Sequence, residues 1–293
     1  MHSSIQEFGI HRYQPASDSV SDLDRVAVEE PLEIVLSFRR RGVLVRKPIS
    51  ITMRTPGADE ALAAGFLFTE GIIHDRSAIE SVEKQPDGGA SVMLRLREEI
   101  DLKRLDRHFY VSSSCGVCGK TSLEAIKMNR EIRLPPDRPL HRTQFLVQLP
   151  DIVRHGQSIF QETGGLHAAA LFDQNEKLLR VCEDIGRHNA VDKVIGGELL
   201  AGRSDFSDLL LFVSGRAGFE LVQKAIMSGI PFLAAVGAPS SLSVELARRY
   251  DGTLIGFLRE NRFNLYAGPS RIVGAANSRL SSSLQSRETK VVL

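Results

Sequence analysis

From residue 168 onward, short apolar runs alternate with stretches of helical period. No other feature constrains the fold as strongly. The apolar runs at 168–172, 178–181, 209–213, 231–236 and 253–258 have the length of buried strands. Between the later ones, residues 189–200, 219–227 and 240–249 repeat apolar side chains at helical spacing. Strands alternating with helices predict an α/β layer fold with a largely parallel sheet. Residues 143–160 precede this rhythm as one helical pattern carrying Phe145, Leu146, Leu149, Ile152, Val153 and Ile159, with Pro150 as a kink.

The first half reads differently. Leu32, Ile34, Leu36 and Phe38 alternate as a strand, Arg39-Arg40-Arg41-Gly42 reads as a turn, and Val43, Val45, Ile49 and Ile51 continue as a second strand. Asp59 and Glu60 open a helix that stops near Gly71, the two acids facing its positive end. Two further strands bracket the turn Asp87-Gly88-Gly89. The reading is an α+β chain in parts: a flexible polar arm at 1–25, a small N-terminal α+β domain at 26–134, a proline-rich linker at 135–142, a three-layer α/β domain at 143–273, and a loose Ser- and Arg-rich tail at 274–293.

Composition narrows the function classes. Of 293 residues, 42% are hydrophobic and 25% charged, which provides for a core. A formal charge of +1 argues against bulk binding to nucleic acid or to a membrane. No apolar run reaches transmembrane length, and residues 1–8 lack the basic and apolar regions of a signal peptide. With three cysteines, an odd number, the expected compartment is a reducing cytoplasm.

Two of those cysteines sit in Ser112-Ser113-Ser114-Cys115-Gly116-Val117-Cys118-Gly119-Lys120. Small residues leave both thiols unshielded, and a helical pattern follows at 121–128. Lys120 and a helix N-terminus both favour thiolate over thiol. The pair could form half of a zinc site, a redox couple or a sulfur-relay loop. A second C-x-x-C is missing, and the local sequence favours the redox and relay readings. Cys182, beside an apolar run, reads as a buried structural thiol.

In the second half, polar Gly-bearing stretches fall at the predicted strand ends, where open α/β sheets bind ligands. They hold Gly164, Gly165 and His167; Arg187, His188, Asn189, Asp192 and Lys193; Ser214, Gly215 and Arg216; residues 237–241; and Arg259, Glu260, Asn261 and Arg262. Helix N-termini with Arg187, Lys193, Arg216, Arg259 and Arg262 suit a phosphate-bearing ligand. A zinc deaminase is not supported, because Ala169 stands where H-x-E needs its acid and the C-x-x-C precedes the histidine.

These motifs, in this order across roughly residues 30–270, resemble the FdhD family, the sulfur-carrier accessory proteins of formate dehydrogenase. The resemblance implies a cytidine-deaminase-like second domain without the deaminase zinc, and a homodimer. It implies sulfur received from a cysteine desulfurase on Cys115, with Cys118 assisting, and passed to a molybdenum or tungsten bis-guanine-dinucleotide cofactor for the formate dehydrogenase catalytic subunit. Phe257, Leu258 and Arg259 to Arg262 match the family's cofactor-binding stretch, where a guanine nucleotide such as GDP would also sit, and no metal of the chain's own is implied. The alternative is a chaperone that only holds the cofactor, its C-x-x-C a structural or zinc-binding clip. A third reading is a thiol–disulfide oxidoreductase.

Overall fold

The computed structural model describes residues 3–15, 19–84, 91–96 and 132–274. The cysteine loop at 112–120, the helical pattern after it, the Asp87-Gly88-Gly89 turn and all of the tail beyond Gly274 lie outside the described residues.

The expected arm is instead a β-hairpin, with β1 (Ile5–Arg12) antiparallel to β2 (Val20–Ala27). Its polar composition hid it. Cross-strand pairs such as Arg25 with Glu7 at 3.2 Å and Arg12 with Asp22 at 2.9 Å stand where apolar pairs would signal strands. Arg25 also meets Glu162 at 2.8 Å, which ties the ribbon to the rest of the chain.

The first sheet has the order β4-β3-β6-β5, with β3 (Glu30–Arg40), β4 (Val43–Arg54), β5 (Ile79–Lys84) and β6 (Ser91–Leu96). The β3–β4 turn has positive φ at both central residues, Arg41 at 49° and Gly42 at 82°, which matches the twist of a two-residue hairpin. Helix α1 (Asp59–Thr69) covers this sheet, with Leu62, Ala63 and Leu67 packed on Leu32, Ile34, Leu36 and Phe38.

The second sheet has six strands in the order β13-β12-β11-β10-β8-β9. These are β8 (His167–Phe172), β9 (Leu178–Asp184), β10 (Leu210–Val213), β11 (Phe232–Ala235), β12 (Thr253–Arg259) and β13 (Arg262–Ala267). Only β10–β11 and β11–β12 pair in parallel; β8–β9, β8–β10 and β12–β13 are antiparallel. The expectation of a largely parallel sheet is therefore corrected to a mixed one. The reason lies in the connections: β8–β9 and β12–β13 are joined by tight turns, which only antiparallel neighbours accept. The first turn is organised by Asp173 Oδ1, which accepts from the backbone N–H of Asn175 and of Lys177.

Helix α2 (Thr143–Arg154) lies on one face of this sheet, with Phe145, Leu146, Leu149 and Val153 against Ala168, Ala170, Phe172, Phe212 and Phe232. It stops at Arg154, and a separate short helix α3 (Ser158–Thr163) follows Gly156, so the single helix expected over 143–160 is two. Helices α4 (Arg187–Leu200), α5 (Phe219–Met227) and α6 (Ser241–Arg249) cover the other face. That gives the three expected layers.

The proline-rich segment does not divide the chain into two cores. One continuous cluster runs from Leu32 and Leu67 through Val191 and Val194 to Leu211 and Leu254. Leu134 is buried in it. Pro135 to Pro139 offers carbonyls but few donors, and the fully buried Arg271 supplies the donors. It gives hydrogen bonds to the carbonyls of Pro135 and Arg138 and to Thr253 Oγ1. The segment then enters β7 (His141–Arg142), which pairs with β14 (Ile272–Val273).

His141 is wholly buried, its ring 5.5 Å from Phe145 and 5.3 Å from Phe232, and neither ring nitrogen has a hydrogen-bond partner. Burial lowers its pKa from 6.5 to about 4, against the weaker pull of Glu176 and Asp173. The unfolded chain therefore takes up this proton first as pH falls. The stability His141 contributes is intact above pH 6.5, declines as pH falls from there, and is lost by about pH 4, a total of about 3 kcal/mol. Denaturant melts at pH 7 and pH 4.5 are expected to show wild type losing more than His141→Phe. Equal losses would refute the assignment.

Candidate functional site

The site is an edge set by sheet direction. Strand β9 runs antiparallel to β8, and β8 antiparallel to β10, so the carboxyl ends of β9, β10, β11 and β12 all point to one side, together with the start of β8. The five stretches singled out in the sequence therefore lie along a single edge. Three of them run directly into helices α4, α5 and α6, whose N-termini open there.

Glycines let these loops approach closely. A Cβ on Gly237 would stand 2.8 Å from the backbone of Arg216, and one on Gly256 2.8 Å from the Pro239 ring. Backbone bonds continue the ladder past the strand ends: Gly237 N–H to Gly215 O at 2.8 Å, Ala217 N–H to Ala238 O at 3.1 Å, and Phe257 N–H to Gly237 O at 3.1 Å. Ser214 closes the β8 side, where its Oγ accepts from Ala168 N–H at 2.8 Å. The result is a smooth floor of backbone below exposed side chains.

His167, Gly215, Arg187 and His188 come together. A Cβ on Gly215 would meet the His167 ring at 3.3 Å and Arg187 Cδ at 3.9 Å. Burial lowers the His167 pKa, and the nearby Arg187 and His188 add to that. Arg187 Nε is buried with no hydrogen-bond partner, a strong donor left for a ligand to satisfy. Arg216, Arg259, Glu260, Asn261 and Arg262 are exposed. Arg259 folds back to donate to Val236 O at 2.7 Å and to Leu258 O at 2.8 Å, while the Leu258 side chain is buried. Phe257 is 42% exposed and holds φ at 52°, in a strand irregularity between Gly256 and Arg259. A bulky side chain in that backbone region is strained, and such strain collects at binding sites. Gly164 ends α3 with φ at 66°, and Gly165 lies between it and the edge, near Ala27.

Three expected ligand residues face inward instead. Lys193 is buried, at 2.6 Å from Asp184 Oδ2, and donates to Thr55 O at 2.8 Å and Glu183 O at 3.4 Å. Its three protons are thereby engaged, which corrects the expectation of a phosphate contact. Asn189 donates to Met53 O at 2.7 Å and to Asp184 Oδ1 at 3.0 Å and accepts from Thr52 Oγ1 at 3.1 Å. Asp192 is buried against Thr69 and Lys224. These residues hold the start of α4 against β4 and α1 and so position Arg187 and His188. Glu220, in the first turn of α5, lies in the stretch read at the end of β10 but was given no role of its own: its Oε2 lies 2.7 Å from His188 Nε2. An acid just inside a helix that follows Ser-Gly-Arg was the available signal. Cys182, read as buried, is half-buried, and burial raises its pKa. No described helix is long and apolar enough to cross a membrane.

Fold and edge together define the class: a mixed α/β protein with a glycine-floored, arginine-bearing strand edge suited to an anionic ligand. The chain belongs to the FdhD/NarQ family, whose model matches residues 27–273. The protein named sulfur carrier protein FdhD in Streptomyces avermitilis is 46% identical over 259 residues, covering 85% of this chain and 89% of that one. The protein of the same name in Picrophilus torridus is 47% identical over 252 residues, covering 85% and 92%. A crystal structure described as that of a candidate formate dehydrogenase accessory protein from Desulfotalea psychrophila superposes with a TM-score of 0.70 at 24% identity, over 92% of this chain and 100% of that one. This last likeness bears on the fold alone.

Proposed function

We propose that this chain is a sulfur carrier that serves a formate dehydrogenase. The observation that carries the proposal is 46% identity, across 85% of the chain, to a protein named a sulfur carrier. The Cys115/Cys118 loop supplies a chemistry for it. The Cys115 thiolate attacks the outer sulfur of a cysteine desulfurase persulfide, the desulfurase cysteine leaves as thiolate, and Cys115 gains one sulfur. Cys118 assists or resolves that persulfide. The acceptor, a substrate and not a resident cofactor, is a molybdenum or tungsten bis-guanine-dinucleotide. Support for it comes from the strand edge: the close-packed Gly215, Gly237 and Gly256 admit backbone near a pyrophosphate, and Arg187 Nε lacks a partner. Arg187, Arg216, Arg259 and Arg262 are the phosphate contacts in this reading, and GDP is the smallest probe of it. The partners are a desulfurase, the dehydrogenase catalytic subunit and a second copy of the chain.

Intact-protein mass spectrometry after incubation with a cysteine desulfurase and cysteine tests the first step. Wild type is expected to gain one reducible sulfur, and Cys115→Ala none. An equal gain by Cys115→Ala would move the carrier role to another residue. No gain by wild type would leave a protein that only holds the cofactor.

A further inference from the structure

His188 and Glu220 bridge the N-terminal turns of α4 and α5, the helices that follow β9 and β10. Nε2 of His188 is buried and stands 2.7 Å from Glu220 Oε2. The contact is bent, with no well-aligned hydrogen bond at Nε2. A carboxylate oxygen at that distance repels an imine nitrogen and attracts an N–H, so its charge biases the ring toward the Nε2–H tautomer. Glu220 is an acceptor-only carboxylate. Its pKa is lowered, first by His188, with Arg187 and Lys224 adding to that and burial opposing. Arg187, whose Nε has no partner, and Lys224 are the further cations that act on Glu220.

With Nε2 committed as donor, the singly protonated ring presents Nδ1 as an acceptor. A third of the His188 side chain is open to solvent, so the ring can offer that acceptor in a site otherwise built to donate to phosphate. We infer that Glu220 is a positioning residue, which locks His188 so that Nδ1 accepts a hydrogen bond from a bound nucleoside diphosphate, either from its ribose 2′-hydroxyl or from the exocyclic amine of its base. This inference rests on the strand edge being a nucleotide site. It adds discrimination: arginines and helix ends hold any diphosphate, whereas an oriented acceptor selects a ligand that offers a donor, and an unmet donor–acceptor pair is costly in a half-buried site.

The test pairs two readouts on the full chain, ¹⁵N-histidine NMR of the His188 tautomer and calorimetric titration with GDP, 2′-deoxy-GDP and inosine diphosphate. Wild type is expected to show the Nε2–H tautomer. Glu220→Leu, a change at a part-exposed position, is expected to give mixed tautomers and about tenfold weaker GDP binding. Glu220→Gln, whose side-chain oxygen still accepts from Nε2–H, is expected to restore most of both. In wild type, one analogue should lose about tenfold relative to GDP, and Glu220→Leu should not weaken that analogue further: 2′-deoxy-GDP if the ribose is the donor, inosine diphosphate if the amine is. Unchanged GDP affinity in Glu220→Leu, or loss with neither analogue, overturns the role of Glu220 and leaves the nucleotide site standing. Failure of wild type to bind GDP overturns both.

Discussion

Replacing Lys224 with methionine is expected to cost about 3–5 kcal/mol of stability, because it strands a buried carboxylate. Lys224 Nζ lies 3.0 Å from both oxygens of Asp192 and 2.9 Å from Thr69 Oγ1 and from Glu70 Oε1. Thr69 in turn donates to Asp192 at 2.7 Å. Lys224 and Asp192 are both buried, and the Phe66 ring lies 5.5 Å from the ammonium. Burial works against the charge on Lys224, yet Asp192 and Glu70 outweigh it and hold its pKa above the usual lysine range. Burial pushes the Asp192 carboxyl up, and Lys224 pulls it back. Each charge therefore depends on the other. Urea unfolding at neutral pH is the measurement. The double change Lys224→Met with Asp192→Asn is expected to recover much of the loss, since no buried charge remains unpaired. A single-variant loss below about 1 kcal/mol would contradict the coupling. The cluster also bears on the site. Asp192 lies one turn beyond His188 on α4, and Lys224 one turn beyond Glu220 on α5, so this pair sets the spacing at which His188 meets Glu220.

Much of this arrangement was legible in the residues. The helix at 219–227 runs over the same residues in the structure, because Gly218 and Gly229 bound a clean apolar stripe. The strand ends lie along one edge as read, because polar Gly-bearing stretches have no place inside a buried sheet. Strand direction was not legible: an apolar run such as Leu178 to Val181 has the same pattern whether it runs parallel or antiparallel to its neighbour. Nor was the fate of Asn189, Asp192 and Lys193. Polar residues beside a helix start look ligand-facing when that helix has an open side. Helix α4 has none, since it lies between the six-stranded sheet and α1, and these side chains find partners on β4, β9 and α5. Apolar periodicity reports one buried face. It is silent when polar side chains satisfy one another inside.

Gly196→Ala should be the most damaging small substitution among the described glycines of the helices. In an isolated helix, alanine is more favourable than glycine by about 1 kcal/mol. Here the sign reverses, because α1 and α4 cross backbone to backbone. A Cβ on Gly196 would stand 1.9 Å from Ala61 O and 2.5 Å from Gly65 N, and one on Gly65 would stand 1.9 Å from Asp192 O. Those are main-chain atoms, so no side chain can turn aside, and one whole helix must move. Overpacking of that kind costs about 3 kcal/mol after the gain in propensity is subtracted. The displacement would fall on the carbonyls of α1 and on the α4 turn that carries Asp192, loosening the cluster with Lys224 and, through it, the start of α4 at Arg187 and His188. Thermal unfolding and GDP titration of the same preparation separate these effects. Gly196→Ala is expected to lower both the melting temperature and the affinity. Gly9→Ala, which meets nothing within 4 Å, is expected to leave both where they were. A Gly196→Ala protein as stable as wild type would mean that the two helices are not held in contact in solution, and the single core joining the two sheets would have to be given up with it.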